Sequence, residues 1–187
     1  MHEKKFRCKP WFYPLPVLII GTYDENEIPN AMNAAYGGLY DADMVEFNIG
    51  HNKKTFKNIQ LTKEFTVSFA DVDNVVASDY VGLVSGNEET KKIEKSGWTV
   101  VKAEHVNAPI FEELPVTWEC KLVRITEEGN VIGKLVNVSV NDRVLDEKDK
   151  ISMDKFKPLV FDHVSGDYLK VDGVVGKAFE VGKKLIK

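Results

Sequence analysis

The sequence predicts a mainly β (α+β) fold, a β-barrel with inserted helices, on three observations. Short apolar or alternating runs bounded by turn residues recur along the chain. Neighbouring runs are joined by connections short enough for antiparallel pairing. Helical patterning is grouped between residues 53 and 97 and does not alternate with strands, as a doubly wound sheet would require. With 187 residues, 43% of them hydrophobic and 29% charged, the chain fits one domain spanning 1–187 around one sizeable core.

The elements follow in order. Val17 to Tyr23 is a β-rich apolar run closed by "DENEI", and Pro29 to Tyr36 follows at hairpin distance. Met44 to Ile49 alternates, with Val45, Phe47 and Ile49 on one face. Lys53 to Leu61 turns helical, with Asn52 placed to act as N-cap. Glu64 to Ala70 returns to strand, with Phe65, Val67 and Phe69 inward. Asn74 to Gly97 is helical in two pieces broken around "GLVSG", the second opening on a capping box from Ser85 to Glu88. "NAPIFEELP" reads as loop. Val116 to Glu128 and Val131 to Val140 are long strands joined by "EEGN", where Gly129 supplies positive φ. In the C-terminal stretch one short strand, Tyr168 to Val171, is expected before a glycine-rich loop.

Composition narrows the function. No apolar run approaches the ~20 residues that span a bilayer, and the first residues carry prolines and aromatics where a signal peptide needs an unbroken apolar stretch, so a cytoplasmic protein is expected. A net charge of -4 with mixed signs offers no basic stripe for nucleic-acid phosphates. Cys8 and Cys120 lack metal or redox spacing, and Cys120 shares the alternating face of Val116, Trp118 and Leu122 as a core thiol. His51, His105 and His163 are too scattered for a local metal site. Neither a P-loop nor a Rossmann fingerprint nor a nucleophile elbow is present. "NVS" at Asn137 lies mid-strand and is discounted as a glycosylation acceptor.

Three stretches carry chemistry. In "IGHNKKTFKNI" a strand end and a glycine lead into Asn52, Lys53, Lys54 and Thr55 at a helix start. Unpaired N–H groups, the positive end of a helix dipole, and ammonium and hydroxyl donors there suit a phosphate monoester. The same residues would equally make a solvated helix cap. In "IPNAMNAAYGGLY", Asn33, Ala34, Ala35, Tyr36 and Gly37 form a strand end where backbone can approach a flat ligand, or an ordinary strand and glycine loop. In "YVGLVSGNEETKKIEKSGW", Val84, Ser85 and Gly86 precede a charged helix ended by Gly97.

Taken in order, these stretches resemble the flavin reductase-like family of FMN-binding split barrels, in particular its flavoredoxin-like branch, from about Pro14 to Phe179. The resemblance implies an FMN-binding split β-barrel. It places the isoalloxazine ring against Asn33, Ala34, Ala35, Tyr36 and Gly37, and the phosphate on Asn52, Lys53, Lys54 and Thr55. Val84, Ser85, Gly86 and Tyr168 also approach the flavin. It further implies a homodimer and an electron supply from NAD(P)H or a redox partner protein. No catalytic side chain is expected, because FMN itself performs the redox chemistry. Two departures stand out. Gly129, Asn130 and Val131 occupy the position of the family's "GDH" turn, linked with nicotinamide use, which leans toward an electron carrier. Glu27 stands where the family often has glycine, so Asn26 is expected to supply the unusual backbone angle. The alternatives are a non-catalytic barrel that has lost flavin chemistry and, ranked lower, an oxidase of the pyridoxine phosphate type.

Overall fold

In a computed structural model describing residues 3–186, seven strands form one antiparallel sheet. They are β2 (Leu18–Tyr23), β3 (Pro29–Ala34), β4 (Gly37–Asp41), β5 (Met44–Asn48), β6 (Glu64–Phe69), β9 (Val116–Ile125) and β10 (Asn130–Val140). Their order is β3-β2-β6-β9-β10-β5-β4. The two outermost strands, β3 and β4, are consecutive in the chain and joined by Ala35 and Tyr36 alone. That short link bends the sheet back on itself, because strands at opposite edges cannot be bridged by two residues unless the sheet curls.

The remaining strands are short. β1 (Leu15–Pro16), β11 (Leu159–Asp162) and β12 (Asp167–Lys170) form a small sheet in the order β1-β11-β12, and β7 (Val100–Lys102) pairs with β8 (Pro109–Phe111). Helix α1 (Lys54–Thr62) lies between β5 and β6. Helices α2 (Val75–Leu83) and α3 (Lys92–Ser96) follow β6, and α4 (Met153–Phe156) precedes β11.

Alternation decides which side chains go inside. Val45, Phe47 and Ile49 are buried together with Phe65, Val67, Cys120 and Ile59 of α1 in the barrel interior, where the Phe47 and Phe65 rings meet edge to face at 5.4 Å. A second core lies between the sheet and helices α2 and α3, built on Val17, Ile19, Ala31, Val81, Ile93, Trp98 and Phe111. The β9–β10 hairpin turns at Gly129 with φ +86°, and Cys120 is fully buried.

Several local expectations are corrected. The N-cap of α1 is Lys53, with extended φ −74° and ψ 142° and no side-chain cap bond, so Asn52 does not cap. Ser85 opens a turn whose hydroxyl accepts from Asn87 N at 3.2 Å, and the helix starts only at Lys92, so the capping box to Glu88 does not form. The residue with φ 60° in the first hairpin is Glu27 and not Asn26. The Asp24 carboxylate accepts the Asn26 and Ile28 N–H groups at 2.9 and 3.0 Å and so holds the strained residue between them. Gly37 and Gly38 begin strand β4 and not a loop, "NAPIFEELP" contains β8, and β11 pairs with the expected C-terminal strand. Phe69 points inward as expected, packed against the same core as Phe65 and Val67, and is partly buried. Strands of three to five residues carry too few positions for a period-two signal to stand above noise, which is why these short ones escape sequence reading.

Candidate functional site

Strand β3 pairs with β2 on one side only. Along its free edge the turn before α1 meets the loop after α2 and the two border an open cleft. Lys53, Lys54 and Thr55 line it from one side, Val84, Ser85 and Gly86 from the other, and Asn30 and Met32 of β3 from below. The two predicted stretches, some thirty residues apart in sequence, therefore share one site. Asn52 is not on the cleft wall, yet its carbonyl accepts from Asn87 Nδ2 at 3.1 Å and stitches the two loops together.

Close approach at Gly86 makes this geometry possible. A Cβ there would sit 2.2 Å from Asn30 Oδ1 and 3.4 Å from Lys54 Cδ, so any side chain would push the loop off the strand. Asn30 is only 3% exposed. Its Nδ2 donates to Thr55 Oγ1 at 2.9 Å, and its Oδ1 is buried without a partner. Turning the amide over lets Thr55 donate to Oδ1 and leaves Nδ2 beneath Gly86 as the unpaired atom. In either orientation one buried amide atom lies beneath Gly86 without a partner.

The electrostatics separate three lysines. Lys54 Nζ is held 2.6 Å from Asp24 Oδ2. Burial disfavours the Asp24 carboxylate, but Lys54 and the two turn N–H groups outweigh it and keep its pKa below the usual range. Lys54 is therefore a neutralised strut. Lys92 of α3 is 4% exposed and donates to the free-edge carbonyl of Ala31 at 2.7 Å. Burial, and then the charge of Lys53, push its pKa down to about 8. Lys53 and Lys92 are the cations that lack an acidic partner on this wall. Together with the first-turn N–H groups of α1 they suit a phosphate-sized anion.

Farther along β3 the surroundings change. Asn33 Nδ2 donates to Ser78 O at 3.0 Å and to Tyr168 Oη at 3.3 Å, and Tyr168 donates to Asp79 Oδ1 at 2.8 Å. Burial, reinforced by Asp79, raises the Tyr168 phenol to about 12. Ala34 is buried in the barrel core, so only its backbone can face a ligand. Ala35 and Tyr36 make the bend, and the Tyr36 ring stands 54% exposed. A Cβ on Gly37 would lie 2.8 Å from Glu46 O and 3.0 Å from Leu18 Cδ1, so barrel closure already accounts for this glycine. Tyr36 Oη lies 3.0 Å from His163 Nε2.

The structure thus makes two neighbouring patches of the predicted residues, one charged and one aromatic, joined by β3. Asn30, Lys92, Asp24 and His163 were not among the predicted site residues. Asn30 shares a face with Met32 by alternation, a signal the sequence did contain. Nothing in "KKIEKSGW" marks Lys92 as the buried lysine, since its neighbours are charged too. Among the described residues no cluster of His, Cys, Asp and Glu could hold a metal ion, and no helix is long and apolar enough to cross a membrane.

Comparison with known proteins agrees with the fold. A solved flavoredoxin of Desulfovibrio vulgaris (Miyazaki F) superposes with a TM-score of 0.92 at 31% identity, over 97% of this chain and 100% of that one. A flavoredoxin from Methanosarcina acetivorans gives a TM-score of 0.89 at 24% identity, over 99% and 100% of the two chains. An uncharacterized protein of Aquifex aeolicus is 32% identical over 115 residues, 57% of this chain and 56% of its own length. The family model described as the flavin reductase like domain matches residues 11–168. The chain belongs to the flavin reductase like domain family.

Proposed function

We propose that the protein is an FMN-binding flavoprotein that passes electrons from NAD(P)H or a reductase to an acceptor. The observation that carries this reading is the cleft at the free edge of β3, where Lys53, Lys92, Thr55 and the start of α1 line one open space. Bound FMN supplies the hydride and electron chemistry. Lys53, Lys92 and the Thr55 hydroxyl hold the phosphate, and Lys54 keeps Asp24 from competing for them. Val84, Ser85 and Gly86 close over the cofactor through backbone. Asn33, Ala35, Tyr36 and Tyr168 border the ring.

The altered turn favours an electron carrier over a direct nicotinamide oxidase. Asn130 Oδ1 accepts from Asn48 Nδ2 at 2.7 Å, so the side chain at this position is tied to the neighbouring strand β5. Exposed Leu39, Val123, Val136 and Val138 on β4, β9 and β10 support a homodimer, which sedimentation velocity tests. The test of function is a fluorescence titration with FMN, followed by anaerobic spectra with NADH and NADPH. Micromolar or tighter binding is expected; bands that bleach only with dithionite mark the carrier, and bleaching by a nicotinamide marks a reductase. Absence of FMN binding overturns the proposal.

A further inference from the structure

The aromatic patch contains a hydrogen-bonded pair that cofactor binding does not require. His163 sits on the β11–β12 turn, which is rigidly tied. The Asp162 carboxylate accepts from Val164 N at 2.8 Å and from Tyr13 Oη at 2.6 Å, and Asp162 O accepts from Gly166 N at 2.8 Å. The imidazole packs edge-on to Tyr36 with centroids 5.6 Å apart and lies 6.2 Å from the Phe161 ring. Its Nε2 is 3.0 Å from Tyr36 Oη, while its Nδ1 is buried with no partner.

Which nitrogen carries the proton follows from that asymmetry. Proteins leave buried N–H donors without an acceptor more rarely than they leave an acceptor unsatisfied. A neutral imidazole with its proton on Nδ1 would strand a donor; with its proton on Nε2 it strands only a lone pair. His163 therefore donates to the phenol oxygen of Tyr36. The Tyr36 hydroxyl hydrogen is left unclaimed, on a half-exposed ring at the bend that borders the proposed flavin position. A phenol that already accepts a hydrogen bond donates a stronger one, because chained hydrogen bonds polarise each other.

We infer that His163 positions Tyr36 as a hydrogen-bond donor to the carbonyl oxygen of a conjugated cyclic ligand seated at the bend. This rests on the flavin reading above. The chemistry is shared by two sources, the carboxamide of a nicotinamide donor and the ring carbonyl of a quinone acceptor. Tyr36 touches the ligand, and His163 acts through Tyr36.

Three measurements test it. Long-range proton–nitrogen NMR on the ligand-free protein is expected to show His163 as the Nε2–H tautomer; the Nδ1–H tautomer overturns the inference. Perturbation of flavin absorbance then measures affinity for oxidised nicotinamide mononucleotide and for duroquinone in wild type, His163→Leu and His163→Gln. Loss of the bond that orients and polarises the Tyr36 hydroxyl is expected to weaken the ligand roughly three- to tenfold in the Leu variant, and Gln, which retains an N–H, is expected to hold affinity within about twofold. An effect on the nicotinamide alone assigns the site to the donor, and one on duroquinone alone to the acceptor. FMN affinity is expected to stay within about threefold in both variants. Equal affinities for both probes in all three proteins overturn the inference while leaving the flavin reading intact, and an equal loss of FMN in His163→Leu shows a structural role and overturns it too. Wild-type protein that takes up no FMN overturns the flavin reading, and this inference with it.

Discussion

The two ends of strand β3 are built to opposite specifications. At Asn30 the surroundings are buried, charged and cross-linked, with Thr55, Lys54, Asp24 and Lys92 each holding a defined partner. At Tyr36, no more than about 20 Å further on, the surroundings are open and aromatic, and the ring is half exposed. A site preorganised for an anion loses little freedom on binding and holds its ligand tightly. An open aromatic rim suits a ligand that must arrive, react and leave. The contrast fits a cofactor anchored at one end and reached by its redox partners at the other.

The largest effect should come from the anchored end. Lys53→Ala combined with Thr55→Ala is expected to weaken FMN binding by roughly 2–4 kcal/mol, the value of two contacts to ionised oxygen. Fluorescence titration measures it, with a melting curve alongside, because Thr55 also serves Asn30. Unchanged affinity would break the comparison at its charged end. Gly86→Ala should follow, at roughly 1–3 kcal/mol of lost affinity, since the new Cβ overlaps Asn30.

Lys92 sharpens the comparison through pH. Its folded pKa, about 8, lies below the ordinary lysine value. Above pH 8 the free protein holds Lys92 largely neutral, so phosphate must draw a proton onto it, and FMN affinity is expected to fall as pH rises from 8 toward 10. Lys92→Met should flatten that fall. The same shift makes the unfolded chain the stronger proton binder between about pH 8 and 10.5, so the folding penalty of Lys92, full below pH 8, is relieved across that window. Rising melting temperature from pH 8 to 10 in wild type, reduced in Lys92→Met, checks the sign.

The smallest effect belongs to the open rim. Tyr168→Phe removes a phenol bonded to Asp79 and Asn33 and should cost about 0.5–1.5 kcal/mol of stability, with FMN affinity changed less than by the Lys53/Thr55 pair. A larger loss of FMN at Tyr168 than at that pair would reverse the assignment of anchored and open ends.

Much of this was legible in the residues. The alternation of Val45, Phe47 and Ile49 specified a half-buried strand, "EEGN" specified the β9–β10 hairpin, and the grouping of helical pattern in mid-chain excluded a doubly wound sheet. Lys53, Lys54, Thr55 and Gly86 were found because helix starts and glycines have local chemistry. Their roles were not legible. Lys54 and Lys53 read identically in a row, and only the fold brings Asp24, thirty residues away, against one of them.

What the sequence by itself determined is therefore whatever depends on neighbours in the chain: strand faces, turn residues, the limits of α1 and α2 to within a residue or two, and the fold class that these imply. What only tertiary structure decided is burial and partnership. Lys92 becomes the buried lysine because α3 packs on the free edge of β3, and Asn30 becomes an orphaned amide because Gly86 closes on it. His163 becomes a donor to Tyr36 because the β11–β12 turn is carried to the barrel bend. Desolvation and hydrogen bonding act through space between segments far apart in the chain, and no local pattern encodes those distances.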